Sequence, residues 1–366
     1  MTVQSINMPK WGMSMSEGKV TRWLVNEGDA IATGMEILEI ETDKIANVVE
    51  SQQSGVLRRK VAAEGETLPV GALLGVLADA SVADADIDSF VDANRVAAAE
   101  TESEQSLLAR IQVDGRAINI MDSGGDSTRA FLLVHGFGGD LNNWLFNFAE
   151  LSHHLRTVAI DLPGHGRSAK DVGDGSAAGL VAAVDGVIDA LGLKEVHFVG
   201  HSLGGLVVAL AAIARPSIAG SVTLLAPAGL ATAVDQSFLA AFIEADSRKE
   251  MKGVLSRLFF DPSVVTRDMV DDVLQYKRTD GVTAALGLLA DNALAKRTRG
   301  QELAPRLGDL SLPVTVLWGT KDSVIPMPDM AGSAIEISAV AEKGHMLHME
   351  ATKAVNAAIL RHVTPG

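Results

Sequence analysis

The run Val199-Gly200-His201-Ser202-Leu203-Gly204-Gly205 constrains this chain more than any other stretch. An apolar segment (Val196, Phe198, Val199) enters it with the character of a buried strand, and an Ala/Leu/Val segment, Leu206 to Ala214, leaves it as a helix. A serine between the two sits on a sharp turn with a strained backbone. Only small neighbours tolerate such a turn, and Gly200 precedes it while Gly204 and Gly205 follow. The turn lifts the Ser202 hydroxyl clear of the sheet. It also aims a helix N-terminus, with its partial positive charge, at whatever oxygen becomes negative there.

Two further stretches supply partners for that serine. Pro313-Val-Thr-Val-Leu-Trp-Gly319 reads as a buried strand that breaks into a loop, and Asp322 stands at the strand's C-terminal end. After one more strand, Ala334 to Val340, comes Gly344-His345. His345 has the chemistry to take the proton of Ser202, and Asp322 the chemistry to hold the imidazole tautomer and stabilise its cation. His348 competes for the same role, but only His345 directly follows the loop glycine. The order Ser, Asp, His resembles that of the α/β-hydrolases. That resemblance implies an oxyanion hole from the N–H of Leu203 and an N–H of the Gly136-Phe137-Gly138-Gly139 turn, here assigned to Phe137. His135 is expected to pin that turn by hydrogen bonds. Asp161-Leu-Pro-Gly-His165-Gly-Arg-Ser168 resembles the D-x-P-G-x-G-x-S loop of the same family, which implies a pocket wall and no chemistry for His165.

From Leu107 the pattern is strand–helix alternation. Leu107 to Val113 and Ala117 to Met121 form an opening antiparallel pair turning at Asp114-Gly115. Phe131 to His135, Thr157 to Asp161, Val196 to Val199, Val222 to Leu225 and Val314 to Trp318 are short apolar runs, as buried parallel strands are. Residues from about 231 to 306 interrupt the alternation with amphipathic segments, Phe238 to Ala245, Met251 to Phe259 and Met269 to Tyr276, and suggest a helical cap. Its basic residues, Arg248, Lys249, Lys252, Arg257, Lys277, Arg278, Lys296, Arg297 and Arg299, form either a solvated face or contacts to the phosphates of coenzyme A.

Residues 1–78 differ in kind: short strands punctuated by glycine, with an internal repeat. Leu24 to Gly34 matches Val61 to Gly71, each copy a strand, an E-G-D/E turn, a strand and a glycine. Two copies predict a small all-β flattened barrel with a pseudo-two-fold axis. Between them, β-rich segments flank Glu41-Thr42-Asp43-Lys44-Ile45, which puts Lys44 at a hairpin tip. This segment resembles the lipoyl domain, with Gly34 and Gly55 bracketing the turn. The resemblance implies lipoate on Lys44. Biotinyl domains place methionines on both sides of the lysine, whereas Asp43 and Ile45 stand here. Residues 79–106 are rich in alanine and acids and poor in large apolar groups, so a flexible acidic tether is expected, with a surface helix over Ser89 to Glu104 as the alternative. The hydrolase-like domain then occupies 107–366.

The chain of 366 residues carries a net charge of −15, which argues against nucleic acid or an anionic membrane as partner. It has no cysteine, so disulfides, zinc–thiolate sites and a cysteine nucleophile are excluded, and no metal site is expected. Met1 to Asn7 lacks a basic and then apolar leader pattern, and no apolar run approaches the roughly 20 residues that span a bilayer. A cytoplasmic location is expected.

Lipoyl domain, acidic linker and α/β-hydrolase, in that order, resemble the dihydrolipoyllysine-residue acetyltransferase family of bacterial acetoin dehydrogenase complexes. The resemblance implies transfer of an acetyl group from the lipoyl arm to coenzyme A. It also implies a thiamine-dependent acetoin-cleaving enzyme and dihydrolipoamide dehydrogenase as partners, and a homo-oligomer is expected. Neither the H-x-x-x-D-G motif of the wider acyltransferase class nor a subunit-binding domain is found, so the chemistry is expected to run through Ser202. The alternative enzyme is a serine hydrolase, thioesterase or carboxylesterase, fused to a lipoyl carrier. A non-enzymatic scaffold would require Ser202, Asp322 and His345 to co-occur idly.

Overall fold

The computed structural model describes residues 3–9, 17–41, 46–51, 53–79, 81–92, 107–230, 234–295, 299–329, 333 and 335–363. The chain divides into two compact units, 1–106 and 107–366.

The first unit is two four-stranded sheets around one core. Its strands are β1 (Gln4–Asn7), β2 (Glu17–Trp23), β3 (Ala30–Ile31), β4 (Glu36–Glu41), β5 (Ala46–Glu50), β6 (Gly55–Lys60), β7 (Thr67–Pro69) and β8 (Leu73–Ala78). The sheets run β1-β8-β6-β3 and β5-β4-β2-β7. Ile6, Leu57 and Leu77 of one and Val20, Leu38 and Ile40 of the other share a single buried cluster. The repeat read from the sequence recurs in the hydrogen bonds. Glu27 Oε1 accepts from Lys60 N–H at 2.6 Å, and its counterpart Glu64 Oε1 accepts from Trp23 N–H at 2.8 Å. Gly28 N–H donates to Leu57 O and Gly65 N–H to Val20 O, each at 2.7 Å. The repeat glycines Gly28, Gly34, Gly65 and Gly71 have φ of 95°, 80°, 88° and 85°, a region that disfavours side chains, so the glycines are what let both copies turn alike. β4 pairs antiparallel with β5, Glu41 opposite Ala46. The residues joining them, Lys44 included, lie outside the described residues.

The stretch 79–106 differs from the bare tether expected of it. Residues 84–92 form a helix, α1. Val82, Ile87 and Val91 are buried against Leu73, Val76 and Ala78, the outer face of β8, while Leu74 and Leu77 of its inner face enter the sheet core. The faces of β8 alternate except at a bulge, where Ile6 pairs with Gly75 and Asn7 with Leu73, and β8 is buried along its whole length because each face has a partner. Each apolar side chain so covered contributes about 1.5–3 kcal/mol. Arg58–Asp84 (2.8 Å) and Arg59–Asp88 (2.6 Å) flank the apolar contact. The rest of the expected tether, 93–106, lies outside the described residues.

The second unit is an eight-stranded sheet: β9 (Leu108–Val113), β10 (Arg116–Asp122), β11 (Arg129–Val134), β12 (Arg156–Ile160), β13 (Glu195–His201), β14 (Ala219–Leu225), β15 (Val314–Gly319) and β16 (Ile337–Val340). Its order is β16-β15-β14-β13-β11-β12-β10-β9. β9 and β10 form the antiparallel hairpin, turning through Asp114 and Gly115 at φ of 50° and 77°. β11 to β16 pair in parallel with one another, and β12 joins the hairpin by pairing antiparallel with β10. Alternate residues feed two cores. Leu132, Val134, Phe198 and Leu224 face α3 (Ala177–Ala190) and α4 (Leu203–Ala214). Phe131, Leu133 and Val199 face α2 (Leu145–Ser152) and α11 (Thr352–Leu360). Between β14 and β15 the chain inserts α5 (Gln236–Glu244), α6 (Arg248–Ser256), α7 (Arg267–Lys277), α8 (Val282–Leu289) and α9 (Arg299–Gly308), the helical cap. The first three coincide with the amphipathic segments. α8 reads Val-Thr-Ala-Ala-Leu-Gly-Leu-Leu and buries Val282, Ala285, Leu286 and Leu289, so it has no polar stripe to announce it. A short helix, α10 (Leu347–Glu350), follows β16. Among the described residues no helix is long and apolar enough to cross a membrane.

Candidate active site

Ser202 joins β13 to α4 at φ 54° and ψ −117°, a conformation that few residues other than glycine adopt. The surroundings hold it there: its N–H donates to Leu225 O at 3.0 Å, and its carbonyl accepts from Ala228 N–H at 2.9 Å. A Cβ on Gly200 would lie 2.5 Å from Gly204 O, which is why the turn needs glycine at that point. Ser202 is 6% exposed.

Asp322 follows β15. Its Oδ1 accepts from the N–H groups of Val324 and Ile325, each at 2.8 Å. Its Oδ2 lies 2.7 Å from His345 Nδ1, with the carboxylate side chain fully buried. A carboxylate only accepts, so Nδ1 carries the proton and Nε2 presents its lone pair. Among the described residues Nε2 has no hydrogen-bond partner, Ser202 Oγ included. The His345 main chain is held from two sides. Its N–H donates to Leu258 O, just beyond α6 of the cap, at 2.8 Å. Its carbonyl meets His201 Nε2 at 3.0 Å. Glu350 straps the same loop, accepting from Gly344 N–H at 2.8 Å and Phe260 N–H at 2.9 Å.

Of the proposed oxyanion donors, Leu203 N–H opens α4 and Phe137 N–H lies in the turn after β11. Neither is taken by an acceptor among the described residues. The turn is close to the nucleophile, since a Cβ on Gly136 would stand 3.0 Å from Ser202 Cβ. The Phe137 ring meets Phe242 of the cap at 5.7 Å. A Cβ on Gly138 would collide with that same Phe242 ring, so α5 lies directly over the turn.

The other histidines are accounted for. His135 Nδ1–H donates to Gly136 O at 2.7 Å while its Nε2 accepts from Leu162 N–H at 3.0 Å, which pins the turn. Burial pushes its pKa down. His348 is fully buried, with its ring 4.6 Å from Trp144 and 4.6 Å from His201 and with neither nitrogen hydrogen-bonded among the described residues. Burial, and then the neighbouring His345 and His135, push it down to about 3. It is His345 that Asp322 holds. His165 is buried beside His135 and pushed well below its usual value by burial. Asp161 builds the wall, accepting from Leu141 N–H (2.8 Å), Asn119 Nδ2 (2.8 Å) and Arg167 N–H (2.7 Å).

Several cap cations already have partners. Arg248 pairs with Asp271 and Arg257 with Asp235, while Lys277 donates to Ala245 O. Lys296 and Arg297 lie outside the described residues. Three residues to which the sequence alone assigns no role also shape the site. Tyr276 donates from its hydroxyl to Gly164 O at 2.8 Å, tying α7 to the wall. Glu350 straps the His345 loop, and His201 sat in the motif as an unconstrained position. Only the G-H-S adjacency points to His201; nothing in sequence marks the pairing of Tyr276 with Gly164 or of Glu350 with Phe260, partners far along the chain.

Residues 131–358 match the alpha/beta hydrolase family, and residues 4–77 match a family described as biotin-requiring enzyme. Over 366 residues the chain is 42% identical to the dihydrolipoyllysine-residue acetyltransferase component of the acetoin cleaving system of Cupriavidus necator, covering 99% of this chain and 98% of that one. The component of the same name from Pseudomonas putida is 41% identical over 363 residues, covering 98% of each. Among solved structures, the meta-cleavage product hydrolase of Pseudomonas fluorescens IP01 superposes with a TM-score of 0.60 at 20% identity, over 69% of this chain and 96% of that one. That likeness speaks to fold alone.

Proposed function

Because the chain belongs to the family of dihydrolipoyllysine-residue acetyltransferase components of acetoin cleaving systems, we propose that Ser202, His345 and Asp322 carry its acetyl transfer. The protein is an acetyltransferase of acetoin catabolism with a covalent lipoyl group and coenzyme A as acceptor, and it works with the other enzymes of that system. Lys44 is the proposed attachment site. The antiparallel pairing of β4 and β5 ends with Glu41 opposite Ala46, so the four residues between them, Lys44 included, join two neighbouring strands. When attached there, the lipoyl group supplies the dithiol that presents acetyl as a thioester.

In the proposed reaction His345 Nε2 takes the Ser202 proton as the hydroxyl oxygen attacks the acetyl carbonyl carbon. Leu203 and Phe137 N–H groups hold the oxyanion. His345 returns the proton to the departing sulfur, leaving acetyl on Ser202. In the second half His345 takes the thiol proton of coenzyme A as that sulfur attacks the acetyl-serine, and then returns a proton to Ser202. Water attacking instead would give acetate. The cap, with Phe242 over the Phe137 turn, favours the thiol route by excluding water. Asp322 keeps Nδ1 protonated and stabilises the imidazolium throughout.

The observation that carries this reading is the buried 2.7 Å pair of His345 Nδ1 with Asp322, tied to the strained Ser202 elbow by the 3.0 Å contact of His201 Nε2 with the His345 carbonyl, together with two N–H groups that have no acceptor among the described residues. The acetoin-cleaving thiamine enzyme and dihydrolipoamide dehydrogenase are the partners proposed, to charge the arm and reoxidise it. One test follows the acetyl group. The chain is acetylated by the thiamine enzyme without coenzyme A, acid-quenched and mapped by mass spectrometry. Lipoyl is expected on the peptide holding Lys44 and acetyl on the peptide holding Ser202. Acetyl confined to the lipoyl peptide would overturn the serine route.

A further inference from the structure

Beside the Asp322 loop, the proposed site is built from three separate stretches of chain: the elbow, the His345 loop and the Gly136 turn. One side chain touches all of them. His201 is the residue before Ser202, so its backbone is covalently fixed to the nucleophile. Its Nε2 lies 3.0 Å from the carbonyl oxygen of His345. A carbonyl oxygen only accepts, so Nε2 carries the proton and Nδ1 is left as a lone pair. Nδ1 is buried without a hydrogen-bond partner among the described residues. It faces Gly136, where a Cβ would stand only 2.8 Å away.

We propose that His201 is a positioning residue: its Nε2–H sets the spacing between the nucleophile strand and the His345 main chain, and its ring edge seats the Gly136 turn against Ser202. The inference rests on Ser202 and His345 being nucleophile and base. The ring is placed for this. It is 3% exposed, and its centroid is 4.6 Å from those of both His345 and His348, tilted 57° and 50° to them. Burial, with His345, His348 and His135 as the titratable neighbours that also oppose a charge, keeps the ring neutral, so a single tautomer serves over the working pH range. The His345 main chain is thereby gripped at its N–H by Leu258 O and at its carbonyl by His201. Two main-chain anchors leave the loop little freedom to slide, and the His345 ring inherits that precision. An apolar residue of similar size would fill the space yet leave the His345 carbonyl with only the local Leu347 N–H, at 3.1 Å, and no tie to the nucleophile strand.

The test compares His201→Leu with His201→Gln in the full lipoylated chain, following acetyl-CoA formation. Glutamine places an amide N–H near the Nε2 position; leucine has no donor. The leucine variant is expected to lose about 30- to 100-fold in kcat with KM little changed, as a small misplacement of reacting groups does, and glutamine to recover most of it. Glutamine as slow as leucine, or leucine at the unaltered rate, would overturn the proposal. Should the leucine variant not fold, nitrogen-15 spectra of the histidine rings in the unaltered chain decide. The Nε2–H tautomer of His201 is expected, and Nδ1–H overturns the proposal. Ser202→Ala separates the two levels. If that variant still makes acetyl-CoA, the underlying reading fails. If it is dead while His201→Leu runs at full rate, only the positioning role fails.

Discussion

Replacing Asp322 by asparagine changes one hydrogen bond out of three. Val324 and Ile325 N–H both point at Oδ1, which the asparagine carbonyl supplies equally well. The amide nitrogen must then stand where Oδ2 was, 2.7 Å from His345 Nδ1. Two donors cannot share that contact, so the ring shifts its proton to Nε2 and presents a donor to Ser202 where a base is needed. Shape and burial are kept while the base and the stabilisation of its cation are lost. Inverting the tautomer in a site of this kind costs about 10³- to 10⁴-fold in rate, or about 4–5.5 kcal/mol of barrier. Acetyl-CoA formation by the Asp322→Asn chain, measured at saturating coenzyme A, should fall by that factor with the melting temperature and KM nearly unchanged. A loss below tenfold would refute the assignment of Asp322 as the group that sets the His345 tautomer.

Two further outcomes follow from burial. Ile87→Ala, in α1, should destabilise the first unit by about 2–4 kcal/mol in chemical unfolding, because Ile87 is fully buried on the outer face of β8; no measurable change would mean that α1 does not belong to that unit's core. His348 is held down to about 3, far below its value in an unfolded chain, so the folded state binds fewer protons. The stability this represents is present above about pH 6.5 and is lost as pH falls from there toward 3. His348→Phe should keep the stacking between Trp144 and His201 and lower the acid slope of stability by up to about 1.4 kcal/mol per pH unit between pH 6 and 4.5. Identical slopes would show that His348 does not contribute.

Much of the architecture was legible because its signals are local. Alternating or continuous apolar runs gave β11 to β15, and Asp114-Gly115 gave the β9–β10 turn. The repeat of Leu24 to Gly34 in Val61 to Gly71 carries turn glycines whose positive φ is visible from residue type alone. The pairing of Asp322 with His345 follows from order along the sheet, since β15 and β16 are neighbours and their loops open at the same end. α1 was hidden because its composition is that of a tether; only Val82, Ile87 and Val91, with Phe90 partly buried beside them, anchor it. The clue was on the other side of the contact, in Leu73-Leu74-Gly75-Val76-Leu77-Ala78, a strand apolar on both faces in a barrel that needs only one buried. α8 was hidden for the opposite reason, being apolar nearly all round. The hydrogen bonds of His201, Tyr276 and Glu350 join residues with no shared periodicity, and only coordinates reveal them.

Single-turnover acetyl transfer in the unaltered chain and in Ser202→Ala, each pre-acetylated on its lipoyl arm and mixed with coenzyme A, tests the central claim most directly. The account predicts rapid acetyl-CoA with little acetate from the first, and an arm that stays acetylated in the second. Acetyl-CoA at an equal rate from both chains would contradict it.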